Sequence, residues 1–131
     1  MSASAPDLEP VHDRLKALLT PYRQTLTVAQ DGLAGMTLEL PGYEGKPRGY
    51  VAGTRLGKRY VSYYLMGVYG DPKLQAGMSP ELRRRMQGKS CFNFTKVDEG
   101  LLRELGALTS ASIARQPAVV EAVLAESPRR R

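Results

Sequence analysis

The chain has 131 residues, 42% hydrophobic and 24% charged, enough apolar matter for one packed domain and too much for a disordered one. Its net charge is +6, and it holds one cysteine, one histidine and no tryptophan, which excludes an intramolecular disulfide, His/Cys zinc spacings and a local Cys/His dyad. The longest strongly apolar stretch, around Tyr60–Tyr69, falls far short of the roughly 20 residues that span a bilayer, and no apolar leader opens the chain, so a cytoplasmic protein without membrane attachment is expected.

Met1–Pro6 is small and polar and reads as a disordered start, followed by a single domain over residues 7–126 and a basic tail at 127–131. Leu8, Val11, Leu15, Leu18, Leu19 and Tyr22 recur at spacings of three and four, which predicts a helix over 8–19 with Asp7 as its cap and Pro21 closing it. Met36, Leu38 and Leu40 alternate with Thr37 and Glu39, a half-buried strand stopped by Pro41-Gly42, and Tyr43–Pro47 reads as an exposed loop. Two strand-like runs follow, Arg48–Arg55 and Arg59–Tyr69, joined through Leu56-Gly57-Lys58 as a hairpin with a left-handed residue at Gly57. Apolar on both faces, the second run reads as a central strand. Ser79-Pro80 starts a short helix that Gly88 stops. Cys91–Lys96 is a strand with Phe92 and Phe94 inward; Asp98 then caps a helix striped by Leu101, Leu102, Leu105 and Leu108, which Gln116-Pro117 should break or kink before a last helix striped by Val119, Val120, Val123 and Leu124. Hairpin-linked strands with helices in separate runs predict an α+β fold: an antiparallel sheet of four or five strands with helices packed on one face.

Charge is segregated along the chain. Between Gly45 and Ser90 ten basic residues face two acidic ones, a net +8, so the remainder carries −2 despite its terminal Arg129–Arg131. Tyr60, Tyr63, Tyr64 and Tyr69 lie on one expected strand beside Arg55, Lys58 and Arg59. Aromatic faces beside cations are what a single-stranded nucleic-acid platform requires, and Arg48-Gly49-Tyr50-Val51 is a fragment of such a motif; equally, alternation sends some of the tyrosines into the core. Arg83-Arg84-Arg85 sweeps about 200° around a helix and cannot form one clamp. The candidate ligand-binding set is Arg55, Lys58, Arg59, Tyr60, Tyr64, Lys89 and Asn93.

Carboxylates gather at Asp7, Glu9 and Asp13 and again at Asp98 and Glu99, where helix amino termini favour negative charge; the first trio is the alternative metal set. His12 reads as a lone surface histidine, and Cys91 as a small buried hydrophobe. No nucleophile, base or cofactor motif can be named, so an enzyme is not the favoured reading.

Gly88-Lys89-Ser90-Cys91-Phe92-Asn93-Phe94, followed by Asp98-Glu99-Gly100-Leu101-Leu102-Arg103-Glu104-Leu105, resembles the YdhG-like family of small bacterial domains of unknown function. The likeness runs from about Arg48 to Arg115 and implies an α+β sandwich; since some relatives are described as frataxin-like intracellular iron chaperones, it also implies iron as an alternative ligand. The expectation is a non-enzymatic binding or chaperone-like domain, without a cofactor, whose partner is an anionic small molecule or nucleic acid on a basic, tyrosine-rich sheet surface. The alternatives are iron binding and a homodimeric interaction domain.

Overall fold

A computed structural model of the chain describes residues 8–45, 49–69, 72–88 and 91–126. The expected disordered start, the Gly70-Asp71 turn, Lys89 and the arginine tail lie outside the described residues, as does Asp7.

Helix α1 spans Glu9–Leu19 and buries Val11, His12, Leu15 and Leu19, the stripe its spacing dictates. Its cap position is Leu8, which makes no side-chain cap; the cap expected of it, Asp7, lies outside the described residues. Pro21 does not end the helical path: it sits at the start of a 3-10 turn, Thr20–Gln24, where a missing N–H costs nothing. Five strands follow in a meander, β1 (Thr27–Asp31), β2 (Gly35–Glu39), β3 (Tyr50–Leu56), β4 (Val61–Leu65) and β5 (Cys91–Phe94), each pairing antiparallel with its neighbours in the order β1-β2-β3-β4-β5. Strand β1 is additional to the sequence reading.

The β3–β4 hairpin forms, with two corrections. Gly57 is not left-handed, because positive φ among the described residues is confined to Gly42, Gly45 and Gly88. The turn is instead closed by the Gly57 N–H donating to the Tyr60 carbonyl at 3.0 Å, which leaves Tyr60 in the turn. Strand β4 also stops at Leu65, and the chain coils into α2 (Met66–Tyr69), so the strand covers less than half of the expected Arg59–Tyr69 run and Tyr69 is not on it.

Helix α3 (Pro72–Ala76) leads to α4 (Pro80–Arg83), whose Ser79 hydroxyl accepts from the Leu82 N–H at 3.1 Å as a proper cap. The helix is shorter than expected; Gly88, at φ 82°, turns the chain into β5 rather than stopping α4. Helix α5 runs unbroken over Glu99–Glu126, correcting the expected break at Pro117. Proline removes a single amide donor, and the turns on either side keep theirs. No helix among the described residues is long and apolar enough to cross a membrane.

The register puts Met36, Thr54, Tyr63 and Phe92 in one row across the sheet, flanked by Leu38, Ala52 and Leu65 on one side and Leu56, Val61 and Phe94 on the other. This is the covered face. It closes with α1 and with Leu101, Leu102, Leu105 and Leu108 of α5 into one apolar core. Tyr63, fully buried there, shares a 2.6 Å hydrogen bond with Thr109 of α5, so its hydroxyl is satisfied inside the core. The fold is therefore α+β, with a five-stranded antiparallel sheet.

Candidate functional site

The opposite face carries the other alternation: Thr37, Gly53, Tyr64 and Cys91 in one row, then Arg55, Ser62 and Asn93 in the next. Adjacent residues on a strand point to opposite faces, so Tyr63 and Tyr64 separate, one into the core and one onto this open face. Of the four tyrosines expected on one strand, only Tyr64 reaches that face from the strand itself.

Two hollows lie on this side. The first, about 230 Å³, is lined by Arg55, Gly57, Lys58, Arg59, Tyr60 and Ser62. It brings together four of the seven expected ligand-binding residues at the β3–β4 turn, with Tyr60 38% exposed. The second, about 420 Å³, shares Arg55 and continues along the face past Tyr64, Tyr50, Thr37 and Gln30. Among the described residues none of Arg55, Lys58 and Arg59 pairs with a carboxylate.

Tyr50, Thr37 and Gln30 are absent from the sequence-derived set. The signal for Tyr50 lies in Gly53: a Cβ there would stand 2.6 Å from the Tyr50 hydroxyl, so the missing side chain is the space the ring occupies. The Tyr50 and Tyr64 rings meet at 6.3 Å between centroids, tilted by 52°. Burial first, and then the neighbouring Tyr64, push the Tyr50 hydroxyl well above the ordinary tyrosine range, so it stays protonated.

Asn93 sits opposite Ser62 on this face, with its amide engaged in a network of its own. Its Oδ1 accepts from the Ser62 hydroxyl at 2.9 Å and from the Cys91 thiol at 3.5 Å, and its Nδ2 donates to Gln87 Oε1 at 2.6 Å. Its amide is thereby spent on fixing β5 to β4 and to the preceding turn. Cys91 is half-buried, and burial raises its thiol above the usual value, which favours the protonated form. Helix α4 ends at Arg83, so Arg84 and Arg85 fall in the turn that follows and the three arginines do not share the helix expected of them. Arg83 donates to the Gln75 carbonyl at 2.5 Å, Arg84 is exposed, and the Arg85 carbonyl accepts from the Asn93 N–H.

The acidic residues scatter. Glu9 and Asp13 are exposed on α1, Asp98 caps α5 through the Leu101 N–H at 3.1 Å, and Glu99 takes a forked contact from Arg14 at 2.5 and 2.6 Å. That guanidinium holds the Glu99 carboxyl below its ordinary range. Asp31 is lowered likewise by Lys16 and Arg23. Among the described residues no three His, Cys, Asp or Glu side chains draw together as a metal site. His12 is not the surface residue expected: it is 3% exposed, with Nε2 2.8 Å from the Thr54 hydroxyl on the covered face. Its place in the apolar stripe, at spacing four from Leu8 and three from Leu15, put it there.

Comparison with known protein families, with curated proteins and with solved structures finds no match to this chain.

Proposed function

We propose that the chain is a binding domain for an anionic, phosphate-bearing ligand, taken up at the Arg55, Lys58 and Arg59 end of the open sheet face. The observation that carries this reading is the convergence of those three side chains on one hollow with no carboxylate partner among the described residues. Like charges gathered around a concavity repel one another and raise the local potential; an anion seated among them relieves both. Ser62 adds a hydroxyl to the same hollow, and the backbone turn Gly57–Tyr60 holds Lys58 and Arg59 at its tip.

Calorimetric titration with inorganic tripolyphosphate tests it. Saturable binding that weakens as salt is raised, and that falls by about tenfold or more in the Lys58→Ala/Arg59→Ala double variant, is the expected result. Both residues are exposed, so the variant keeps its fold. Binding that ignores salt, or an isotherm unchanged in the variant, rejects the site.

A further inference from the structure

Resting on that anion-binding reading, we infer that the ligand is single-stranded nucleic acid, its backbone phosphates at Arg55, Lys58 and Arg59 and its bases stacked against Tyr60 and Tyr64. The exposure of the cations decides between a small anion and a polymer. Lys58 and Arg59 stand in water at the tip of a turn, and Arg55 is exposed at the end of β3. A single phosphate gains little from each such contact. A polyanion sums them, releasing counterions at every phosphate neutralised.

The aromatic side chains decide between a single strand and a duplex. Tyr64 lies two residues along β4 from Ser62, the partner of Arg55, a distance of roughly 7 Å. A chain whose phosphate sits at the basic hollow therefore lays its next base over the Tyr64–Tyr50 surface, while Tyr60 flanks the phosphates on the other side. Bases stacked within a duplex have no free face to offer these rings; unpaired bases do. Tyr50, seated over Gly53, forms the floor rather than a mobile arm. The same geometry sets the length of the footprint. Glu39, paired in register with Tyr50 and held by the Gly45 N–H at 3.1 Å, puts a carboxylate at the far end, so the face accommodates only a few nucleotides before meeting like charge.

Fluorescence anisotropy of the full chain with a labelled oligothymidylate of about 10 nucleotides, beside a duplex of equal length and tripolyphosphate as competitor, tests the inference. The single strand is expected to bind more tightly than the duplex, with a slope of log affinity against log salt of about −2 for three neutralised phosphates. Tyr64→Ala, outside the basic hollow, should weaken the oligonucleotide by about tenfold and leave tripolyphosphate binding as it was, and Tyr60→Ala, at its rim, should weaken the oligonucleotide more than tripolyphosphate. Tyr60 is exposed in the turn, so its variant reads the site even where loss of Tyr64 perturbs the sheet. Equal binding of duplex and single strand, or tyrosine variants without effect while tripolyphosphate still binds, overturns the nucleic-acid inference and leaves the anion site standing. Failure of both ligands to bind removes the two together.

Discussion

At the scale of single residues, His12 couples the core to pH. Burial, and after it the nearby Lys16, lowers its pKa from the ordinary 6.5, so the folded protein holds the imidazole neutral while the unfolded chain takes up a proton more readily. Stability from this group is complete above the unfolded value of 6.5 and is lost as pH falls through it towards the folded value. The carboxylates lowered in the fold, Asp31 and Glu99, titrate in the unfolded chain nearer 3.8 and 4.5, so their loss comes at lower pH and the two windows separate. The urea midpoint is expected to drop between about pH 7 and pH 5, and His12→Gln, whose amide can still bond Thr54, should flatten that drop. A wild-type midpoint constant across this interval would show that the imidazole is not held neutral by the fold.

At the scale of elements, β3 shows how one residue with no side chain arranges an entire face. A Cβ on Gly53 would meet the Met36 carbonyl oxygen at 2.5 Å as well as the Tyr50 hydroxyl, and the first, being backbone held in the sheet, cannot swing aside. Gly53→Ala should cost about 1–3 kcal/mol in urea denaturation and change the tyrosine fluorescence as the Tyr50–Tyr64 pair shifts; an unaltered midpoint would mean the strand relaxes freely. Elements with a buried stripe were readable in the sequence: α1, β2, β5 with its alternating phenylalanines, and the start of α5. Strand β1 was not, because its residues at an edge are half-buried or exposed and leave no alternation to find. Strand β4 was overextended because Tyr60–Tyr69 carries apolar or aromatic side chains on both faces, and such a run cannot distinguish a strand from the helical turn that buries Val68. For the candidate site, Arg55, Lys58, Arg59 and Tyr60 are neighbours along the chain and so were named together. Tyr50 is brought in only by the pairing register, in which the irregularity between Leu38 and Glu39 sets it opposite Glu39.

At the scale of the whole molecule, the sheet has a graded interior. Strands β3 and β4 are paired on both edges and backed by the core, whereas β1 is an edge whose last three residues are exposed. Hydrogen exchange should therefore be slowest in β3 and β4, at rates set by global unfolding, and faster in β1 through local opening; equal protection in β1 and β3 would contradict that gradient. The far edge is treated differently, since the Gln87 N–H donates to the Cys91 carbonyl and the Asn93 N–H to the Arg85 carbonyl, so the preceding turn already occupies β5. The meander has a further consequence for biogenesis. Each strand pairs with the strand before it in the chain, so β1 to β4 can assemble as the chain emerges, and β5 joins once α2, α3 and α4 have followed β4. The α5 segment that supplies Leu101, Leu102, Leu105 and Leu108 comes after all five strands. Until it follows, a nascent sheet presents Tyr63, Phe92 and Phe94 to water, which makes the interval between synthesis of β5 and of α5 the stretch of translation most exposed to aggregation.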